Sequence, residues 1–459
     1  MSTSLDKLNV VILAAGKGTR MHSQKPKVLH ALAGRPLLQH VITCAKQLHP
    51  NKVIIVYGFG GEAVPQAFSN EEITWVKQED QLGTGHAVQQ AMPHLDNDAV
   101  TLILLGDVPL VDVGACKQLL SQAQSQLALL SVKKADPTGY GRIVRNTKGK
   151  VQAIVEHKDA SETQRAIDEV NTGIMAVQNE HLMSLLSRLT NHNSQKEYYL
   201  TDIVGMAVAD QVAVHAQVTT DEWNVTGVNS KQDLATLERI YQRRCAEKLL
   251  AQGATLADPA RIDVRGELQV GRDVEIDVGC VFEGSVALAD NVRIGPYCII
   301  KDAVIGAGTV IAPYTHMEQV KVAEECRIGP YARLRPGTEL GSEAHIGNFV
   351  ELKNSQVDNG SKINHLSYVG DTSVGKQVNI GAGTITCNYD GANKYRTIIG
   401  DHAFIGSSSQ LVAPVTVGAG ATIGAGSTIT QDAPENALTI ARARQVSIAG
   451  WKRPQKKPR

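Results

Sequence analysis

Three groups of residues have the types and spacing to do chemistry. The apolar run Val10-Val11-Ile12-Leu13 ends in Ala14-Ala15-Gly16-Lys17-Gly18-Thr19-Arg20-Met21, followed by Lys25-Pro26-Lys27. A glycine-rich turn after a strand lets backbone N–H groups approach a phosphate, and Arg20 and Lys27 can neutralise its charge. The string is neither a P-loop nor GxGxxG, because Met21 takes the place of the third glycine, and a plain strand-to-helix corner uses the same glycines. Far along the chain, Arg335 and Lys353 follow Leu334 and Leu352, three hexapeptides apart. If three hexapeptides make one coil, the two stack about 4.8 Å apart. Two such cations repel unless an anion lies between them or water solvates both, and a phosphate would satisfy the pair. Counted the same way, Ile363, Ile380, Ile405 and Ile423 each open a coil, once a short repeat at Val357 or Val374 and an insertion near 387–393 are allowed for. Two residues later stand His365, Ala382, Ser407 and Ala425. One imidazole below three small side chains outlines a groove of about 14 Å, the reach of a pantetheine arm. His365 is set to take a proton from an attacking amine, though a lone histidine at a turn is often structural.

These groups need two different scaffolds. Residues 8–230 alternate continuous apolar runs, such as Val53-Ile54-Ile55-Val56, Leu102-Ile103-Leu104-Leu105 and Ala128-Leu129-Leu130-Ser131-Val132, with helical lengths. That alternation predicts a mostly parallel sheet buried on both faces, with ligands at the carboxyl ends of its strands. Residues 231–252 form a charged helical pattern without glycine. Ser230 and Asp233 make a capping pair at its start and Gly253 provides its stop. Beyond about residue 262 aliphatics recur every six residues, at Val270, Ile276, Phe282, Leu288, Ile294 and Ile300, at Ile328, Leu334, Leu340, Ile346 and Leu352, and at Ile399, Ile405, Leu411, Val417, Ile423 and Ile429. Such hexapeptides predict a parallel β-helix of stacked coils. The segment Thr386–Lys394 breaks the repeat and is expected to project as a loop that reaches a ligand or neighbour.

Bulk properties exclude several classes. In 459 residues, 46 basic side chains balance 46 acidic ones, which gives no reason to expect nucleic acid or an anionic membrane as partner. Seven scattered cysteines without CxxC pairs point to reduced thiols and away from zinc. The start MSTSLDKLNVVILAAG lacks a leader pattern, and no apolar run is long enough to span a bilayer. The chain therefore reads as soluble and cytoplasmic, and its basic end, Trp451–Arg459, as a frayed tail.

The string L-A-A-G-K-G-T-R-M…K-P-K resembles the nucleoside-triphosphate:sugar-1-phosphate nucleotidylyltransferases. Ala332–Gly337, His365–Asp371 and Asn379–Gly391 resemble the family of bifunctional N-acetylglucosamine-1-phosphate uridyltransferase/glucosamine-1-phosphate acetyltransferases, over nearly the whole chain. The resemblance implies a Rossmann-like α/β uridyltransferase domain over 1–229, a linker helix over 230–253, a left-handed β-helix acetyltransferase domain over 254–441 and a tail over 442–459. In the first domain it implies Leu13, Ala14, Ala15, Gly16, Lys27, Gln78, Gly83, Thr84, Gly106 and Asp107 on UTP and the nucleotide. Gly141, Glu156 and Asn171 would hold the sugar, Asp107 and Asn229 would ligate Mg²⁺, and Arg20 and Lys27 would assist transfer. In the second domain it implies His365 as general base, with Arg335 and Lys353 on the sugar phosphate and Tyr368 and Asn379 on the aminosugar. Ala382, Asn388, Tyr389, Lys394, Ser407, Ala425 and Arg442 would line the acetyl-CoA side, several of them across a homotrimer interface. Glucosamine 1-phosphate would be acetylated with acetyl-CoA, then joined to uridylyl from UTP, supplying peptidoglycan and lipopolysaccharide synthesis. Leu105 and Asn364 depart from the family pattern. Two other readings remain at this point: a single-activity nucleotidylyltransferase with a structural β-helix, and a silent assembly or regulatory subunit.

Overall fold

The computed structural model describes residues 7–123 and 127–456. Met1–Asp6, where the leaderless start was read, and Lys457–Arg459 of the basic tail lie outside the described residues. The chain forms two compact units, Met1–Tyr241 and Gln242–Arg459.

The first unit is built on a nine-stranded sheet. Its central strand Leu8–Ala14 pairs in parallel with Lys52–Tyr57 on one side and Val100–Leu105 on the other. Glu169–Gln178 runs antiparallel between Val100–Leu105 and Leu127–Lys133, so the sheet is mostly parallel with an antiparallel insert. The continuous apolar runs have a simple cause. Val10, Ile12, Leu102 and Leu104 enter one core while Val11 and Ile103 enter the other, so both faces of these strands are buried and their runs are apolar, apart from a few buried polar residues such as Asn9 and Thr101.

The helix Lys231–Ala251 is capped as expected: Ser230 and Asp233 exchange side-chain-to-backbone bonds of 2.9 and 3.1 Å. Gly253, at φ 94°, ends it in a conformation that L side chains rarely adopt. Leu237 packs with Met21 and Leu32 in the first unit, and Ala246 and Leu249 join the core of the second.

The second unit is the parallel β-helix of hexapeptide repeats, left-handed. Along its eleven-stranded face, Ile276, Ile294, Ile311, Ile328, Ile346, Ile363, Ile380, Ile405 and Ile423 stand in one column, each in register with the next. Every member is buried, worth on the order of 2 kcal/mol apiece. The residue after each isoleucine is small because the next coil is so close: a Cβ on Gly347 would lie 2.0 Å from the Asn364 carbonyl oxygen. Asp277 and Asn364 are the exceptions in that column, and the Asn364 side-chain oxygen is buried without a partner.

One corner of the coils carries Tyr297, Tyr314, Tyr331 and Phe349 in left-handed conformations, φ 56° to 60°. Their rings stack with centroids 5.3, 4.9 and 5.5 Å apart. All four are about half exposed, and Leu366 continues the column at 64% exposure.

Candidate active sites

In the first unit the polar residues gather at the carboxyl end of Leu8–Ala14 and Val100–Leu105. Gly106 donates to the Leu13 carbonyl at 2.9 Å, and a Cβ there would lie 3.2 Å from Ala14 Cβ, so a larger residue would press the two strand ends apart by a few tenths of an ångström. Val228 donates to the Asp107 carbonyl at 2.9 Å, which brings Asn229 beside Asp107. The Lys27 ammonium bonds the Asp107 carboxylate and, at 3.3 Å, the Asn229 side-chain oxygen. Gly18, at φ 59°, backs this lysine, since a Cβ there would sit 2.8 Å from Lys27 Cβ. One carboxylate and one amide oxygen converging on a cation make a donor set that suits a hard divalent ion. Arg20 is exposed in the turn Thr19–Met21 and has no protein partner among the described residues. Gly16 is exposed beside it, with nothing within 4 Å of a Cβ placed there, while Ala14 and Ala15 are buried.

Gln78 is buried, and its amide donates to the Gly83 carbonyl at 3.2 Å and contacts His86 Nδ1 at 3.0 Å. Thr84 accepts from the Leu200 amide at 3.2 Å through its hydroxyl. Gly141, Glu156 and Asn171 come together. The Asn171 amide donates to the Gly141 carbonyl at 2.8 Å, and a Cβ on Gly141 would lie 3.3 Å from the Glu156 carboxylate. Burial raises the Glu156 carboxyl above its ordinary range, against a 3.0 Å bond from the Thr201 hydroxyl. Residues 193–201 had no place in the sequence reading. Tyr198 bonds both Leu82 and Gly85, and Ser194 bonds Asp159, so this segment braces the 82–85 turn and the 156–159 turn together. Its only sequence signal was the polar, aromatic run Glu197-Tyr198-Tyr199.

In the second unit the counted columns stand where the spacing put them. Arg335 and Lys353 flank the paired leucines Leu334 and Leu352 on adjacent coils. They are not left to repel each other, however: Arg335 pairs with Glu351 at 2.9 Å and Lys353 with Asp371 at 3.7 Å. Carboxylates one strand position or one coil away thus neutralise both cations, partners that the six-residue spacing does not reveal. Asp371 is held below the usual carboxylate range; burial alone would raise it, but Asn354, Asn388, Lys353 and Lys394 outweigh that. Lys394 is held below the usual amine range, chiefly by Lys353.

His365, Ala382, Ser407 and Ala425 form one rising corner. Backbone bonds run from Gly383 to His365, Ser408 to Ala382 and Gly426 to Ser407. At the far end the Arg442 guanidinium donates to the Ala425 carbonyl at 2.6 Å. His365 is exposed at the foot, with Nδ1 2.9 Å from the Asn348 side-chain oxygen. An oxygen can only accept, so Nδ1 carries a proton, and in the neutral ring the lone pair lies on Nε2. Asn348 was invisible as a partner until the coils were stacked. Asn379, on the neighbouring face, pairs with Lys362 and Phe404. Tyr368 hydroxyl lies close to Gly370, as does the Asn388 amide. Asn388 is buried and donates to Asp371, so it joins the Lys353 group and makes no bond to the His365 column. Tyr389 and Lys394 bridge across the base of the projecting loop, and Tyr389 is exposed. Among the described residues, no group of three or more His, Cys, Asp or Glu is arranged to hold a metal alone, and no helix is long and apolar enough to cross a membrane.

Comparison with known proteins places both units. Residues 10–256 match the family model for MobA-like NTP transferase domains, and residues 396–431 match the bacterial transferase hexapeptide model of six repeats. The chain is 70% identical over 450 residues to the bifunctional protein GlmU of Methylobacillus flagellatus, covering 98% of each chain. It is 60% identical over 457 residues to that of Nitrosospira multiformis, covering 99% of each. With that of Chromobacterium violaceum it is 55% identical over 459 residues, covering 99% of this chain and 100% of the relative.

Proposed function

The chain belongs to the family of bifunctional GlmU proteins, and from that membership we propose a two-step synthesis of UDP-N-acetylglucosamine carried by its two units. The second unit acetylates glucosamine 1-phosphate with acetyl-CoA. The first transfers uridylyl from UTP to the resulting N-acetylglucosamine 1-phosphate and releases pyrophosphate, and the product feeds cell-wall polymer synthesis.

The observation that carries the two-activity reading is the His365 column. A β-helix that served only as a scaffold has no need of an imidazole with its tautomer set by Asn348 at the foot of a groove of small side chains. In acetyl transfer the amine nitrogen attacks the thioester carbonyl, the carbon–sulfur bond breaks and CoA leaves as thiolate. Nε2 of His365 takes the amine proton. Arg335 and Lys353 anchor the sugar phosphate, while Tyr368 and Asn379 orient the aminosugar. Ala382, Ser407, Ala425 and Arg442 line the path of the CoA arm, with Asn388, Tyr389 and Lys394 alongside.

In uridylyl transfer a phosphate oxygen of the sugar phosphate attacks the α-phosphorus of UTP and pyrophosphate leaves. The turn 13–16, with Arg20 and Lys27, holds the phosphates and offsets the charge that grows on them. Gln78, Gly83, Thr84 and Gly106 receive the nucleotide, and Gly141, Glu156 and Asn171 receive the sugar. Asp107 and Asn229 would hold a divalent metal, Mg²⁺, which would supply charge stabilisation at the reacting phosphates. The lysine that now bridges Asp107 and Asn229 supports that reading, since it marks the spot as one that attracts a cation.

A homotrimer belongs to the same proposal. The half-exposed column Tyr297, Tyr314, Tyr331, Phe349 and Leu366 ends beside His365, and its ring faces are used up by stacking, which suits burial of its edges against another copy. Cytoplasmic placement is supported by seven cysteines that are all unpaired.

The test is to assay both reactions with wild type, Asp107→Ala and His365→Ala. Asp107→Ala is expected to abolish uridylyl transfer and spare acetyl transfer, and His365→Ala the reverse. Full acetyl transfer by His365→Ala would remove the proposed base.

A further inference from the structure

Arg142 opens the strand Arg142–Arg145 and is only 1% exposed, among the largest fully buried side chains of the chain. A guanidinium stays charged in a protein, and burying one costs several kcal/mol unless it is well paired. None of its hydrogen bonds goes to a carboxylate, although the Thr138 hydrogen bonds and, after them, the Arg142 charge hold the exposed Asp136 carboxyl below its ordinary range. One arm donates to the Tyr140 carbonyl. Nε and Nη2 donate to the Arg165 carbonyl at 3.4 and 3.3 Å, and Nη2 also donates to His157 Nδ1 at 3.3 Å. Arginine has no acceptor, so His157 must present the lone pair and carry its proton on Nε2.

The surroundings give this charge a purpose. Gly141 precedes Arg142, Glu156 precedes its partner His157, and Val170, next to Asn171, is its strand partner. The guanidinium is thus the common neighbour of the three segments that carry Gly141, Glu156 and Asn171. It also draws the 157–165 turn inward from both ends. Neutral packing would fill the space more cheaply. The planar fork does what packing cannot, because it fixes the separation of the Tyr140 carbonyl from the His157 ring.

We propose that Arg142 is the positioning residue of the acceptor-sugar pocket, clamping the Tyr140–Gly141 turn to His157 and so setting where Glu156 meets the sugar. This rests on the reading of Gly141, Glu156 and Asn171 as sugar contacts. Arg142 itself touches no substrate, and its effect belongs to sugar binding, leaving UTP binding and acetyl transfer alone.

The test is steady-state kinetics of the full chain, with separate KM values for UTP and N-acetylglucosamine 1-phosphate. Arg142→Lys keeps the charge but radiates its donors from one nitrogen and cannot span both partners. It is expected to raise the KM for the sugar phosphate about tenfold, the worth of one charge-assisted hydrogen bond, with kcat and the KM for UTP within about twofold. His157→Phe, which keeps a ring but no acceptor, is expected to raise the same KM, and His157→Gln, which restores an acceptor, to return it toward wild type. A sugar KM unchanged in Arg142→Lys, or one rising in step with the UTP KM, overturns the proposal. If Arg142→Lys does not fold, the His157 pair decides: equal KM values in Phe and Gln variants overturn it. Glu156→Gln separates the two failures. If it leaves the sugar KM unchanged, the pocket itself is misread; if it raises the KM while Arg142→Lys does not, only the positioning role falls.

Discussion

The bond between His365 Nδ1 and the Asn348 side-chain oxygen makes the proposed base depend on a residue one coil below it. Asn348→Ala removes the acceptor that holds the proton on Nδ1. At 2.9 Å this is a normal hydrogen bond, and His365 is exposed, so its net worth falls at about 0.5–1.5 kcal/mol. Spent on tautomer and ring orientation, that amounts to a loss of roughly two- to thirteenfold in kcat. Asn348→Asp is the informative companion. A carboxylate only accepts, so it holds the same tautomer, and acetyl transfer is expected to stay within a few-fold of wild type. The assay is release of CoA thiol with saturating glucosamine 1-phosphate, with uridylyl transfer as internal control. A loss beyond about a thousandfold in Asn348→Ala would mean that Asn348 takes part in the chemistry. Full activity in the alanine variant with loss in the aspartate variant would mean the tautomer is set by something else, and the reasoning fails.

Three further outcomes follow from particular contacts. Asn364→Ala removes a buried oxygen without a partner from a column otherwise built of glycine and alanine, Asp277 at its start apart; denaturant unfolding of the β-helix is expected to show a gain of about 1 kcal/mol. Glu169 accepts two bonds from Arg145, at 2.7 and 2.8 Å, and one from Ser131 at 2.7 Å. Burial alone would raise its carboxyl, yet these partners hold it below the ordinary value of 4.5. Its contribution is therefore full above about pH 4.5 and lost as pH falls through the folded value; thermal melts of Glu169→Gln should lack that part of the acid limb and lie lower at neutral pH. Replacing Tyr314 and Tyr331 with glutamate is expected to shift sedimentation toward the monomer and lower acetyl transfer in proportion, with uridylyl transfer unchanged. A variant that stays fully assembled would remove the stacked column from the interface.

What could be read without coordinates was whatever repeats or caps. The isoleucine column from Ile276 to Ile423 was legible because one register persists over many coils, and the helix start was legible because Ser230 and Asp233 are local to it. The His365 column followed from counting alone. Side-chain partners that cross between coils or loops were not legible, even where they lie one coil away. Asn348 lies 17 residues before His365, and Glu351 and Asp371 neutralise Arg335 and Lys353 from neighbouring strands. The 193–201 brace reaches Leu82, Gly85 and Glu156 across more than a hundred and about forty residues respectively, and Arg142 looked like one more basic residue on a strand.

The loop between Cys387 and Thr397 leaves the coil register on either side untouched: Cys387 still pairs with Val412, and Ile399 with Val374. Extra chain is thus admitted at a corner, whereas a single residue added within a face would turn every later aliphatic outward. Successive coils lie 17 or 18 residues apart, as from Ile346 to Ile363 or Ile405 to Ile423. The groove proposed above His365 is consequently a ruler with discrete marks. Descendants of this chain can refit it to a longer or shorter acyl carrier only by gaining or losing whole marks, about 4.8 Å at a time, while loops at the corners remain free to drift in length.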